Sequence, residues 1–220
     1  MPRNPVTAEQ KAYNEALERI DAVYRAGDTE LSFSGLSLTR LPPEIGQLTN
    51  LTSLNLNHNQ LSSLPPEIGQ LANLTSLSID GNQLSSLPPE IGQLANLAIL
   101  SLDSNPLSAL RPEIGQLAKL TSLSLMSNQF SVFPAEIGQL ANLENFFFAN
   151  SQLSTLAAEI GQLAQLEILF LGNNKLSTLP PEIGPAHQAG HALSQQQPTE
   201  YFALGDCTAQ RQPHGPLPRL

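Results

Sequence analysis

The chain has 220 residues, with 10 basic and 19 acidic side chains, a formal net charge of −9, a single cysteine, no tryptophan and 40 leucines. The acidic surplus argues against binding to a phosphate backbone, and one cysteine excludes a disulfide-stapled secreted scaffold or a Cys-rich zinc module. No apolar run is long enough to cross a bilayer, and residues 1–13 lack the apolar stretch of a secretory signal, so a cytoplasmic protein with no membrane or nucleic-acid partner is expected.

Residues 1–28 read as one helix. Thr7-Ala8-Glu9-Gln10 fits the S/T-x-x-E/Q capping box at its start. Tyr13, Ala16, Leu17, Ile20 and Tyr24 then recur at three- and four-residue spacing, and Gly27 stands where such a helix should stop. Its apolar stripe suits a cap over the first turn of whatever stack follows.

From 29 to 184 the chain repeats itself. Glu-Ile-Gly begins at Glu44, Glu67, Glu90, Glu113, Glu136, Glu159 and Glu182, every step being 23 residues with no insertion. One unit runs Leu51-x-x-Leu54-x-Leu56-x-x-Asn59-x-Leu61-x-x-Leu64-Pro65-Pro66-Glu67-Ile68-Gly69-Gln70-Leu71, and six such units start at Leu51, Leu74, Leu97, Leu120, Leu143 and Leu166. A degenerate unit precedes them, with Leu31, Phe33 and Leu36 at the positions of Leu54, Leu56 and Asn59.

Leu54-x-Leu56 is a period-two signature for a short strand. Identical connections at fixed spacing make neighbouring strands parallel, about 4.8 Å apart. Asn59, Asn82, Asn105, Asn128 and Asn174 recur just after each strand, where an amide can satisfy backbone groups left unpaired by a turn. They form a structural asparagine ladder that Ser151 interrupts. The Pro-Pro-Glu segment suits a first helical turn, with the carboxylate facing the positive end of the peptide dipoles. The glutamate column therefore reads as a solvated face rather than a metal site.

The pattern LxxLxLxxNxLxxLPxxI resembles that of leucine-rich-repeat proteins. The 23-residue LPPEIGQLTNL version is similar to the intracellular group that includes Ras-suppressor-like scaffolds, plant Ras-group-related repeat proteins and bacterial Roco proteins. The helix followed by TELSFSGLSLTRLPPEI also resembles the opening of Roco-associated repeat proteins. The resemblance implies an α/β fold: a right-handed solenoid with a curved parallel sheet on its concave face, 3-10, helical or extended turns on its convex face, and an N-terminal capping helix. It implies a non-catalytic, monomeric interaction module or signalling scaffold that binds a protein partner on the concave face, with a small GTPase or another signalling protein among the candidates. The alternative is the repeat portion of a larger Roco-type GTPase or bacterial effector whose catalytic domain lies outside this chain.

Residues 185–220 lose the repeat and are rich in Gln, His, Pro and Ala, the composition of a disordered tail, although Tyr201, Phe202 and Leu204 could pack on the last repeat. Chemistry is hard to find anywhere. There is no GxxxxGK[ST] or GxGxxG sequence. His187 and His191 lack a partner set for a metal, and His58 has no recurring acid beside it. No metal, cofactor or catalytic residue is expected.

What remains is a display surface. The sheet of such a stack has one open face, on which side chains line up in columns. One column reads Ser32, Asn55, Ser78, Ser101, Ser124, Phe147, Phe170, and its neighbour Ser34, Asn57, Asp80, Asp103, Met126, Ala149, Gly172. A third runs Glu30, Ser53, Ser76, Ile99, Ser122, Asn145, Ile168. Phe147 and Phe170, flanked by Met126 and Ile168, are expected to form an exposed aromatic patch, with Phe146 and Phe148 in the core. Asp80 and Asp103 would select a basic group on the partner. Together these six residues are the candidate partner-binding site.

Overall fold

A computed structural model describes residues 7–183 and 202–203. The histidines and cysteine of the tail, and nearly all of 185–220, lie outside those residues.

Helix α1 spans Ala8–Ala26. Thr7 Oγ1 accepts from Gln10 N at 3.1 Å, which is half of the expected capping box. The Gln10 side chain donates to Asn14 Oδ1 at 2.8 Å instead of reaching back. Gly27 ends the helix in the left-handed region at φ 70°, its N–H on Val23 O. The stripe facing the repeats is Ala12, Ala16 and Ile20, with Val23 packed at its edge. Tyr24, expected on that stripe, is 61% exposed, because the tight contact selects small residues one position away. The helix lies on the first repeat, against β1 (Glu30–Ser32) and the first 3-10 segment, Pro43–Gln47. Arg19 Nη1 donates to Ser32 O at 2.9 Å, Thr39 Oγ1 donates to Glu9 Oε1 at 2.8 Å, and the Arg40 guanidinium lies 4.3 Å from the Tyr13 ring centre.

Seven three-residue strands follow at the 23-residue step: β1 Glu30–Ser32, β2 Ser53–Asn55, β3 Ser76–Ser78, β4 Ile99–Ser101, β5 Ser122–Ser124, β6 Asn145–Phe147 and β7 Ile168–Phe170. They form one parallel sheet in chain order, each residue opposite its equivalent one repeat on. An eighth strand, β8 at Phe202–Ala203, pairs antiparallel with β7.

Each strand is followed by a turn and then a 3-10 segment such as Pro66–Gln70. The core lies between sheet and 3-10 layer, where Leu54, Leu56, Leu61, Leu64, Ile68, Leu71 and Leu74 are all buried, and it continues through every unit. Successive 3-10 segments press together closely. A Cβ on Gly69 would come within 2.9 Å of the carbonyl oxygen of Glu90, so only glycine fits there. The same closeness covers the glutamate stems. From Glu44 to Glu159 the column is half-buried rather than a solvated face, and Glu44 Oε2 and Glu113 Oε2 are buried without a hydrogen-bond partner. Among the described residues no group of three or more His, Cys, Asp or Glu could hold a metal ion.

The asparagine ladder explains the turns. Asn105 Oδ1 accepts from Leu84 N at 3.1 Å, while its Nδ2 donates to Ile79 O at 2.9 Å and Leu102 O at 3.1 Å. Asn59, Asn82, Asn128 and Asn174 repeat this geometry. The carbonyls of Leu56, Ile79 and Leu102 each take two amides, Leu102 O being shared by Asn105 and Asn128, whereas Leu125 O and Phe148 O, on either side of Ser151, take one. At Ser151 the only side-chain bond is a 3.5 Å contact from Oγ to Asn128 O. By the repeat, the donor that loses its acceptor there is the Phe130 N–H.

The residue just before each ladder position is left-handed: Gly35, His58, Gly81, Ser104, Ser127, Asn150 and Asn173 have φ between 55° and 73°. His58 is therefore a turn residue, and Gly81 is needed twice over, since a Cβ there would also lie 2.8 Å from His58 Nδ1.

Candidate binding face

The strands bury their central residue and turn the two flanking ones to the open face. Most displayed side chains are half-buried by their neighbours one strand away. Along β2 to β7 the exception is Ile99, at 47% exposed. It stands in the column between Ser76 and Ser122, and its prominence follows from that setting, a long aliphatic chain between two short ones.

Phe147 and Phe170 are register partners on β6 and β7, as the repeat requires. Both are half-buried, not exposed. The reason lies in the adjacent column, which shrinks from Met126 to Ala149 to Gly172 as Ser124 gives way to Phe147 and Phe170. Ala149 is buried, and a Cβ at Gly172 would sit 3.3 Å from the tip of the Phe170 ring. The Phe170 ring thus lies down over Gly172 along its own strand. Met126 and Ile168 are half-buried beside these rings. Beneath them, Phe146 and Phe148 are fully buried as expected. Their ring centroids stand 5.5 Å apart, and Phe130 and Phe133 join them at 5.2 to 6.2 Å. In the 23-residue repeat, Phe130 and Phe133 occupy the core positions of Leu61 and Leu64.

Asp80 and Asp103 have a structural task that the sequence reading missed. Asp80 Oδ1 accepts from Asp103 N at 2.9 Å and from Ser101 Oγ at 2.6 Å. Asp103 Oδ1 accepts from Met126 N at 2.8 Å and from Ser124 Oγ at 2.5 Å. Asn57 Oδ1 begins this second ladder by accepting from Asp80 N at 2.7 Å. Burial pushes the Asp103 carboxyl above the usual aspartate range, and the nearby Asp80 charge adds to this; the bonds from Ser124 and Met126 oppose it. A raised folded-state value means that the folded chain holds the proton more tightly than the unfolded one. The associated stability is present at acid pH and is lost as pH rises through the raised value. Asp103→Asn, which keeps an acceptor where Asn57 already uses one, is therefore expected to raise the melting temperature at pH 7 relative to the parent and to lose that advantage near pH 3. Parallel thermal melts at the two pH values check this.

The family models agree with this geometry. A leucine-rich-repeat model matches residues 29–84, and a leucine-rich-repeat-region model matches residues 77–176. The chain is a leucine-rich-repeat protein. No curated protein matches it significantly. Among solved structures it is similar to a leucine-rich-repeat protein of Leptospira interrogans, with 37% identity, a TM-score of 0.57, and coverage of 74% of this chain and 54% of that one. It also resembles a plant peptide hormone receptor solved in complex with RGF2, with 36% identity, a TM-score of 0.56, and coverage of 62% of this chain and 23% of that one. The ectodomain of a membrane receptor kinase from Arabidopsis thaliana, in complex with Casparian strip integrity factor 2, matches at 38% identity and a TM-score of 0.58, covering 66% of this chain and 18% of that one. The chain thus spans about half the length of the leptospiral protein and about a fifth of each plant receptor. Leucine-rich-repeat domains generally mediate protein–protein interaction and are typically non-catalytic.

Proposed function

We propose that this leucine-rich-repeat chain is a monomeric, cytoplasmic binding module that holds a protein segment across the open face of its sheet. The observation that carries the reading is the gradient along that face. The first strands present Ser, Asn and Asp, whereas β4 to β7 present Ile99, Met126, Phe147, Ile168 and Phe170. Phe147 and Phe170 are half-buried register partners on adjacent strands, and Ile99 stands proud two strands from Phe147, an apolar surface with a polar flank. Two of the similar structures were solved with peptide or protein ligands, which supports the use of such a repeat stack for binding. The lone cysteine in 220 residues supports a reducing compartment. The resemblance to Ras-group and Roco-type repeats supports a signalling partner such as a small GTPase. A second reading, which the resemblance to Roco-type repeats supports, is that these repeats belong to a longer protein with a catalytic domain; the chain spans 54% or less of each of the three structures.

Selection from a displayed peptide library tests the binding face. Sequences with a large apolar anchor are expected, with Lys or Arg placed to meet Asp80 or Asp103. Phe147→Ser combined with Phe170→Ser should weaken the selected peptide at least tenfold, at a modest cost in stability now that both rings are half-buried. Ile99→Ser should weaken it with no cost. Unchanged affinity in both variants contradicts the site.

A further inference from the structure

A stack of parallel strands leaves one row of unpaired backbone groups at each end, and such edges invite pairing with another chain. Glu144 O accepts from Ile168 N at 2.9 Å, and Phe148 N donates to Phe170 O at 2.7 Å. Residues 144 and 148 therefore aim these groups at β7, with Phe146 between them. By the 23-residue equivalence, the carbonyl of Glu167, both backbone groups of Leu169 and the N–H of Leu171 face outward from β7. At the first end, helix α1 covers the corresponding edge, where Arg19 takes the Ser32 carbonyl. At the last end the core is thinly covered. Leu166, Leu176 and Leu179 are only partly buried, whereas Leu143, Leu153 and Leu156 one repeat earlier are buried.

The strand β8 lies on that edge, with Phe202 opposite Leu169 and Ala203 opposite Ile168 in antiparallel register. We propose that Phe202–Ala203 is a C-terminal cap that closes the sheet by strand addition and so blocks pairing of β7 with β7 of a second copy. A two-fold axis would bring two β7 edges together antiparallel, the same direction that β8 uses. The cap and a second copy therefore compete for one row of hydrogen-bonding groups. The occupant is intramolecular: the eighteen residues between Ile183 and Phe202 can span up to about 60 Å, ample for the return to β7. This cap completes at one end what α1 does at the other, and it is independent of the binding face.

The test uses the full chain. Phe202→Pro removes the N–H that faces Leu169 O. It should speed hydrogen exchange at the Leu169 amide at least tenfold, leave Leu77 and Leu100 unchanged, and shift the light-scattering mass toward a dimer. Ala203→Pro, whose N–H faces away from β7, should leave exchange and mass at parental values. Unchanged exchange in Phe202→Pro, faster exchange with no self-association at high concentration, or equal effects from the two prolines would each overturn the proposal.

Discussion

A chain lacking residues 1–26 is expected to aggregate, or to melt well below the parent. Deletion uncovers the two elements that the helix contacts, β1 with its buried Leu31 and the 3-10 segment Pro43–Gln47 with its buried Ile45. Each large apolar side chain returned to water costs roughly 1.5–3 kcal/mol, so the total is comparable with a typical domain's whole stability margin. Lost with them are the Arg19 bond to Ser32, the Thr39 bond to Glu9 and the Arg40–Tyr13 stacking. Tyr24→Ser is the sharper control. The sequence stripe would make it destabilising, but its 61% exposure predicts no change in melting temperature. Light scattering and thermal melts of both variants decide the matter, and a soluble monomeric truncation that melts with the parent would contradict the cap.

The second large effect is expected in the asparagine ladder. Asn105→Ala leaves the Leu84 N–H buried without its acceptor, and each such group costs about 1–3 kcal/mol. The carbonyls suffer less, because Ile79 O keeps Asn82 and Leu102 O keeps Asn128. Ser151→Asn should do the reverse. It supplies an acceptor for Phe130 N–H and rejoins two ladder segments, for a gain of roughly 1 kcal/mol. Urea midpoints at constant slope measure both. Equal, negligible shifts would show that the ladder is ornamental.

Most of the architecture was legible because a 23-residue repeat constrains every unit by its neighbours. Leu54 and Leu56 announce a strand with an inward face, and the spacing alone makes Leu54 and Leu77 register partners. What was not legible depends on neighbours in space rather than in sequence. Nothing about Glu67 reveals that the next 3-10 segment presses close enough to half-bury the column. The left-handed residue of each turn is hidden because Gly, His, Ser and Asn all fill it. In the candidate site, the identity of the face and the core placement of Phe146 and Phe148 followed from the alternation. The half-burial of Phe147 and Phe170 did not, since it depends on Ala149 and Gly172 yielding space. Asp80 and Asp103 read as free charges because a side-chain bond to the next repeat's backbone leaves no periodic trace once Asn57 and Met126 occupy the same column.

The measurement that bears most directly on the binding face is methyl NMR of the labelled protein, titrated with a library-selected peptide. The predicted result is saturable shifts of the Ile99, Met126 and Ile168 methyls, with the 3-10-layer methyls of Ile68, Ile114 and Ile160 unmoved. Shifts confined to Ile68, Ile114 and Ile160 would place the partner on the opposite side of the solenoid and contradict the account.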